Sequence, residues 1–184
     1  MPRVKGERRL EILKALARML EQPKWGKITT AALAETLDVS EAALYRHFAS
    51  KAQMYEGLIE FIESSVFSLA NKITADESDG RRQADKLLEM LLAFAEKNPG
   101  MVRVMTGDAL VGEHDRLQTR MNQFFDRFEA TLKQALRVAE DGDAAARAAA
   151  IVRYAIGCMH QFGKSGFTRK PTESFSAQRK YLLA

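Results

Sequence analysis

Apolar residues recur every three or four positions through most of this chain, and each interruption of that rhythm marks a helix boundary. Ile12, Leu13, Leu16, Met19 and Leu20 share one side of a predicted helix over 7–21, which a loop with Pro23, Trp25 and Gly26 ends. Trp25 is expected to pack over the base of this region. Met54, Leu58, Phe61, Ile62 and Val66 predict one long helix over 50–73. A polar loop, 74–80, follows, with Asp79-Gly80 as its turn signal. Leu87, Leu88, Leu91, Leu92 and Phe94 predict a helix over 81–97, stopped at Asn98-Pro99-Gly100 and followed by a short one over 99–106. Leu117, Met121, Phe124, Phe128, Leu132 and Ala135 form a near-heptad series over 115–139. The turn at 140–143 leads to an Ala-rich helix over 144–162, where Ile151, Tyr154, Ala155 and Gly157 permit close approach. A last short helix starts near Ser174. No strand pattern competes, so the chain is predicted to be all-α.

The stretch 28–51, ITTAALAETLDVSEAALYRHFASK, organises the rest. Thr29 or Thr30 can cap a first short helix whose apolar side holds Ala32, Leu33 and Leu37. The pattern breaks at Leu37-Asp38-Val39, and Ser40 caps a second helix running to about Phe48, with Leu44 and Phe48 inward. Ser50 and Gln53 make a capping box for the next helix. Two short helices joined by a tight turn suit a helix-turn-helix, whose second helix lies in the major groove of DNA. Glu41, Ala42, Ala43 and Arg46 would face the base edges, and an Ala methyl can meet a thymine methyl. Tyr45, His47 and Lys51 would touch phosphates. An ordinary helical hairpin is the bland alternative.

Charge placement favours DNA. The chain carries 28 Lys+Arg and 24 Asp+Glu. Residues 1–51 hold ten basic and six acidic residues, so the whole excess of +4 sits around the motif. A basic pole on a balanced chain is the footprint of phosphate binding. Arg3, Lys5, Arg8 and Arg9 predict a basic arm able to reach the minor groove, or else a solvated end.

Val39-Ser40, Leu44-Tyr45, His47-Phe48 and Lys51 together resemble the signature of TetR-type regulators. The runs ITT, VSEAALYRHF, GLIEFIE, EKNPGMVRVMTGDAL and DRLQTRMNQFFDRFEA resemble one branch of that family, the SlmA nucleoid occlusion factors, over about 8–181. The resemblance implies an N-terminal three-helix DNA-binding domain over 1–51, and a helical dimerisation and partner-binding domain over 52–184. Thr29, Thr30, Ser40, Glu41, Ala42, Ala43, Tyr45, Arg46, His47 and Lys51 form the expected DNA site. It further implies double-stranded DNA and the C-terminal tail of the division protein FtsZ as partners. By alignment the FtsZ surface falls on Phe61, Met90, Ala93, Lys97 and Asn98. Phe61 and Asn98 match the branch, and Lys97 keeps a positive charge where Arg is familiar. Met90, Ala93 and Leu69 depart from its Leu, Gly and Arg. An exposed Phe61 would anchor a peptide, whereas an apolar stripe ordinarily places such a residue in the core. The helices over 115–162 are expected to form a homodimer interface, with monomeric core packing as the competing reading.

Other chemistry finds no support. His47, His114 and His160 are far apart, so no metal and no cofactor are expected. Gly163-Lys164-Ser165 resembles the end of a phosphate-binding loop, but Cys158 stands where that loop needs Gly. An enzyme is not expected. No run of about 18 apolar residues could span a membrane. The N-terminus lacks the apolar stretch of a signal peptide, and the single Cys158 suits a reducing cytoplasm. A nucleoid-associated cytoplasmic protein is therefore expected. Two alternatives stand beside it: a conventional TetR-type repressor released by a small ligand, and a helical module without DNA binding. In the repressor, Phe94, Met101, Met105, Phe125 and Met159 would line the cavity.

Overall fold

The computed structural model describes residues 5–22 and 26–183. Arg3, the Lys5 side chain and Trp25 lie outside the described residues. The described residues form α1 (Lys5–Leu20), α2 (Thr30–Thr36), α3 (Glu41–Tyr45), α4 (Lys51–Asp76), α5 (Gly80–Lys97), α6 (Pro99–Met105), α7 (Asp115–Val138), α8 (Ala144–Lys164) and α9 (Phe175–Leu183). A 3-10 turn at Asp108–Leu110 separates α6 from α7. The all-α expectation holds, and most boundaries fall within two residues of the sequence reading.

Three differences have a local reason. α1 begins at Lys5, so Arg8 and Arg9 are helical and not parts of an arm. Arg8 pairs with Glu11 at 2.6 Å, while Arg9 donates to the His47 carbonyl and lies 4.2 Å over the Phe48 ring. α4 runs on to Asp76 because nothing breaks it before Glu77, whose N–H still closes on Ile73 O at 3.1 Å. The predicted loop over 74–80 therefore shrinks to 77–79. The second helix of the motif stops at Tyr45, and His47 and Phe48 close tight turns onto Leu44 O.

One continuous core runs from the N-terminal helices into the body. Leu33, Ala34, Leu44 and Phe48 pack with Ile12, Leu16 and Leu20 of α1. The near-heptad residues of α7, from Leu117 to Ala135, are all buried within the chain itself. α4, α5 and α8 cover them, so this stripe of α7 packs in the chain's own core. Phe67 meets Phe124 edge-on at 5.4 Å, and Arg127 lies 3.7 Å over the outer side of Phe67. The side of α8 left uncovered carries Ala146, Ala150, Arg153, Gly157 and His160.

The head formed by α1–α3 meets the body through α4 and α6, among other contacts. α4 starts in the head and ends in the body. α6 presses on the end of α1 at Gly100, where an added Cβ would stand 2.3 Å from Ala17 O. Beside it Arg103, 5% exposed, donates to Leu20 O at 2.8 Å and Gln22 O at 3.2 Å. These carbonyls have no partner within α1, because the last turn of a helix leaves its acceptors open.

Removing the guanidinium leaves the Leu20 carbonyl, on a buried residue, unsatisfied, at a cost of about 1–3 kcal/mol. Arg103→Met is therefore expected to lower the unfolding free energy by about that amount in urea titration. Gly100→Ala is expected to cost at least ~1 kcal/mol, since backbone and not a side-chain tip must move.

Candidate DNA-binding and partner surfaces

The turn of the motif is built from backbone. Asp38 adopts φ 52°, the left-handed conformation that a short polar side chain tolerates. Val39 N then reaches Ala34 O at 3.0 Å, which closes α2 and turns the chain into α3. Thr29, not Thr30, caps α2, accepting from Ala32 N at 3.1 Å. Ser40 Oγ accepts from Ala43 N at 3.3 Å and caps α3. Ser50 Oγ accepts from Gln53 N at 3.2 Å, while Gln53 Oε1 reaches back to Ala49 N at 2.8 Å. The capping box thus closes one residue earlier than its usual form.

These caps set the outer face. Glu41, Ala42, Tyr45 and Arg46 are exposed, while Ala43 and His47 are half-buried. Glu41 is not wholly free: it accepts a hydrogen bond from the Thr30 hydroxyl, which ties the start of α2 to the start of α3. Thr29, Thr30 and Ser40 border the same surface. Lys51, at the first turn of α4, is ion-paired with Glu113 and stands 5.7 Å from the Tyr55 ring centroid. Burial, and then the Glu113 carboxylate, hold the Tyr55 phenol well above its ordinary pKa. The Glu113 contact comes from the loop before α7, and sequence spacing gave no sign of it.

The second surface lies on the opposite side of α4. Glu56 and Glu63 turn toward α7, where Arg116 meets Glu56 at 2.6 Å and Arg120 grips Glu63 with two bonds of 3.0 and 2.5 Å. Phe61 points away from these pairs. It is 47% exposed, the first of the two placements its spacing left open, while Met54, Leu58, Ile62 and Val66 are buried. Its ring lies 6.2 Å from that of Phe94. Met90 and Ala93 are half-buried on α5, Lys97 is exposed, and Asn98 donates to Phe94 O at 2.8 Å as α5 ends. Leu69 is exposed farther along α4.

A groove of about 320 Å³ opens beside Phe61. Leu13, Leu58, Phe61, Asn98 and Met101 are among its walls. Sequence reasoning missed the contribution of α1, because only packing brings α1 beside α4. Phe94, Met101, Met105 and Met159 are buried in the core, and Phe125 meets Phe124 at 5.1 Å. Of the five, only Met101 lines this groove.

Loss of a helix cap costs about 1 kcal/mol. Ser40→Ala is expected to lower the stability of the head by roughly that amount, read from its thermal unfolding.

Residues 12–58 match the family of bacterial regulatory proteins named for TetR. Residues 80–184 match the Tetracyclin repressor-like, C-terminal domain of SlmA-like type. Among similar curated proteins is the Nucleoid occlusion factor SlmA of Alteromonas mediterranea, 50% identical over 97% of this chain and 95% of its own. The proteins of that name from Idiomarina loihiensis and Aliivibrio fischeri are each 51% identical, over 97% and 98% of this chain and 94% and 96% of their own. Among solved structures, a TetR family transcriptional regulator, PfmR from Thermus thermophilus, shares the fold. Its TM-score is 0.73 at 21% identity, covering 94% of this chain and 96% of its own. The chain belongs to the TetR family of bacterial regulators, in the SlmA branch.

Proposed function

We propose that this protein is a DNA-bound nucleoid occlusion factor. As a homodimer on chromosomal sites it inhibits assembly of the division protein FtsZ, so that septa do not close over the nucleoid. The observation that carries this reading is identity of about half over nearly the whole chain to proteins named Nucleoid occlusion factor SlmA. It acts as a regulator and not as an enzyme.

In this reading α3 enters the major groove. The small side chains of Ala42 and Ala43 let it come close, with Arg46 toward base edges. Tyr45 and His47 meet phosphates, and Lys51 exchanges Glu113 for a phosphate at the N-terminus of α4, which itself favours an anion. Residues 1–51 supply the DNA-binding part and 52–184 the dimer and partner surfaces. Since the α7 stripe is spent on the chain's own core, the second copy docks on the uncovered side of α8. Ala146, Ala150 and Gly157 there keep side chains short enough for close helix approach. A C2 dimer then presents two α3 helices to two half-sites.

The FtsZ tail lies along α4 and α5, anchored on Phe61 and held by Lys97 and Asn98. An exposed Phe61 supports this, because a large aromatic group beside polar residues is the usual anchor of a peptide site. Absence of a cation at Leu69 removes one charge contact that the branch ordinarily offers.

Lys51→Ala is expected to weaken binding to all DNA sequences alike and to reduce the salt slope by about one. Changes at Ala42, Ala43 or Arg46 are expected to shift sequence preference. Unchanged affinity in the Lys51 variant would remove that residue from the site. Fluorescence anisotropy of a labelled FtsZ tail peptide, titrated with and without specific duplex DNA, tests the second half. Phe61→Ala and Lys97→Glu are each expected to lower tail affinity while DNA affinity holds. Wild-type tail binding by both variants would refute the α4–α5 surface.

A further inference from the structure

Lys51 is the first residue of α4, where the open N–H groups of a helix start already favour an anion. Among the described residues the anion beside it belongs to the chain itself: the Glu113 carboxylate, sixty-two positions away, accepts from its ammonium. Both side chains are largely covered, Lys51 at 20% exposure and Glu113 at 11%. An ion pair shielded in this way is screened less by salt than one on an open surface. A braced loop offers Glu113 to the head. Its N–H reaches Leu110 O at 3.0 Å, and Gly107 and Gly112 take left-handed φ of 82° and 74° on either side of the 3-10 turn. His114 Nδ1 then caps α7 by accepting from Arg116 N at 3.2 Å.

A cleft of about 340 Å³ opens beside the pair, between the head and this loop. Tyr55 and Glu113 line it, together with Lys27, Ile28 and Asp108. Lys27 is exposed, and its Nζ would stand 3.6 Å from a Cβ added at Gly112, the neighbour of Glu113. Asp108, the other carboxylate of the cleft, lies 3.8 Å from the Lys164 ammonium. A Glu113 carboxylate that leaves Lys51 therefore has open space and a second ammonium nearby.

We infer that Glu113 is a built-in competitor of DNA: its carboxylate holds the Lys51 ammonium in the DNA-free protein, and a backbone phosphate must displace it. The inference rests on the proposed reading, in which Lys51 meets a phosphate, and adds the residue that sets the strength of that contact. Lys51 swaps one anion for another, and Glu113 turns into the cleft toward Lys27. The phosphate contact then contributes only the difference between the two pairings. Glu113 belongs to the body and Lys51 to the start of α4. The exchange therefore also releases a contact between the DNA-binding part and the loop over 107–114.

The test measures the affinity of the full-length protein for a fluorescently labelled DNA duplex of arbitrary sequence, by anisotropy at fixed salt. Any duplex serves, because a phosphate contact carries no sequence information. Wild type, Glu113→Gln, Lys51→Ala and the double variant form a mutant cycle, with thermal unfolding as the check on folding. Glu113→Gln is expected to bind about fivefold more tightly than wild type, and to make no difference where Lys51 is already Ala. Glu113→Asp keeps the charge but draws it back from Lys51, and decides the matter if Glu113→Gln does not fold. It is expected to tighten binding about twofold or more. Equal tightening by Glu113→Gln with and without Lys51 would overturn the inference, since removing any negative charge near DNA does as much. Affinity in Glu113→Gln at or below wild type, with Lys51→Ala weakened, would overturn it and leave Lys51 in the DNA site. Wild-type affinity in Lys51→Ala would overturn both the inference and the phosphate contact on which it rests.

Discussion

The Arg103 guanidinium, buried where α6 crosses the end of α1, donates to the carbonyls of Leu20 and Gln22 and thereby ties the end of that helix to the body. A buried cation is tolerated only where hydrogen bonds replace its water. Here those bonds come from the head, while Arg103 belongs to the body. Gly100 makes the contact possible by letting the α6 backbone come against Ala17 O. The orientation of the helix-turn-helix therefore depends on this junction as well as on α4. Phe167, from the turn after α8, lies under the same guanidinium with its centroid 4.7 Å away, which ties the far end of the body into the contact.

α4 distributes its sides among different tasks. Met54, Leu58, Ile62 and Val66 are buried; Glu56 and Glu63 face the arginines of α7. Exposed ion pairs contribute little singly, but the two-bond grip of Arg120 on Glu63 is directional and fixes the rotation of α4 against α7. With that rotation fixed, Phe61 has no buried position left to occupy. Its exposure follows from the pairing on the opposite side.

The DNA-facing side works by economy of side chains. A single left-handed residue, Asp38, and two caps, Thr29 and Ser40, hold α2 and α3, so the outward residues of α3 need not stabilise the turn. They can remain small or polar. Arg9 adds a hold from α1 through the His47 carbonyl and the Phe48 ring, which closes α3 after Tyr45.

Helix count, order, caps and the helix-turn-helix were legible in the sequence because they are local. A Ser before an apolar run, or Leu44 four residues from Phe48, acts over one or two turns of chain. The concentration of positive charge at the N-terminal end was likewise readable, being a matter of composition. What faced what was not. Periodicity left Phe61 between the core and the surface, and the α7 stripe between the chain's own core and a second subunit, since an apolar position does not say which neighbour will cover it. Nor could it say that Lys51 meets Glu113, sixty-two positions away, or that α1 walls a groove with α4. Local physics sets where each helix starts and stops. Only packing across the whole chain decides which faces are spent on the core and which remain for DNA, a peptide or another copy.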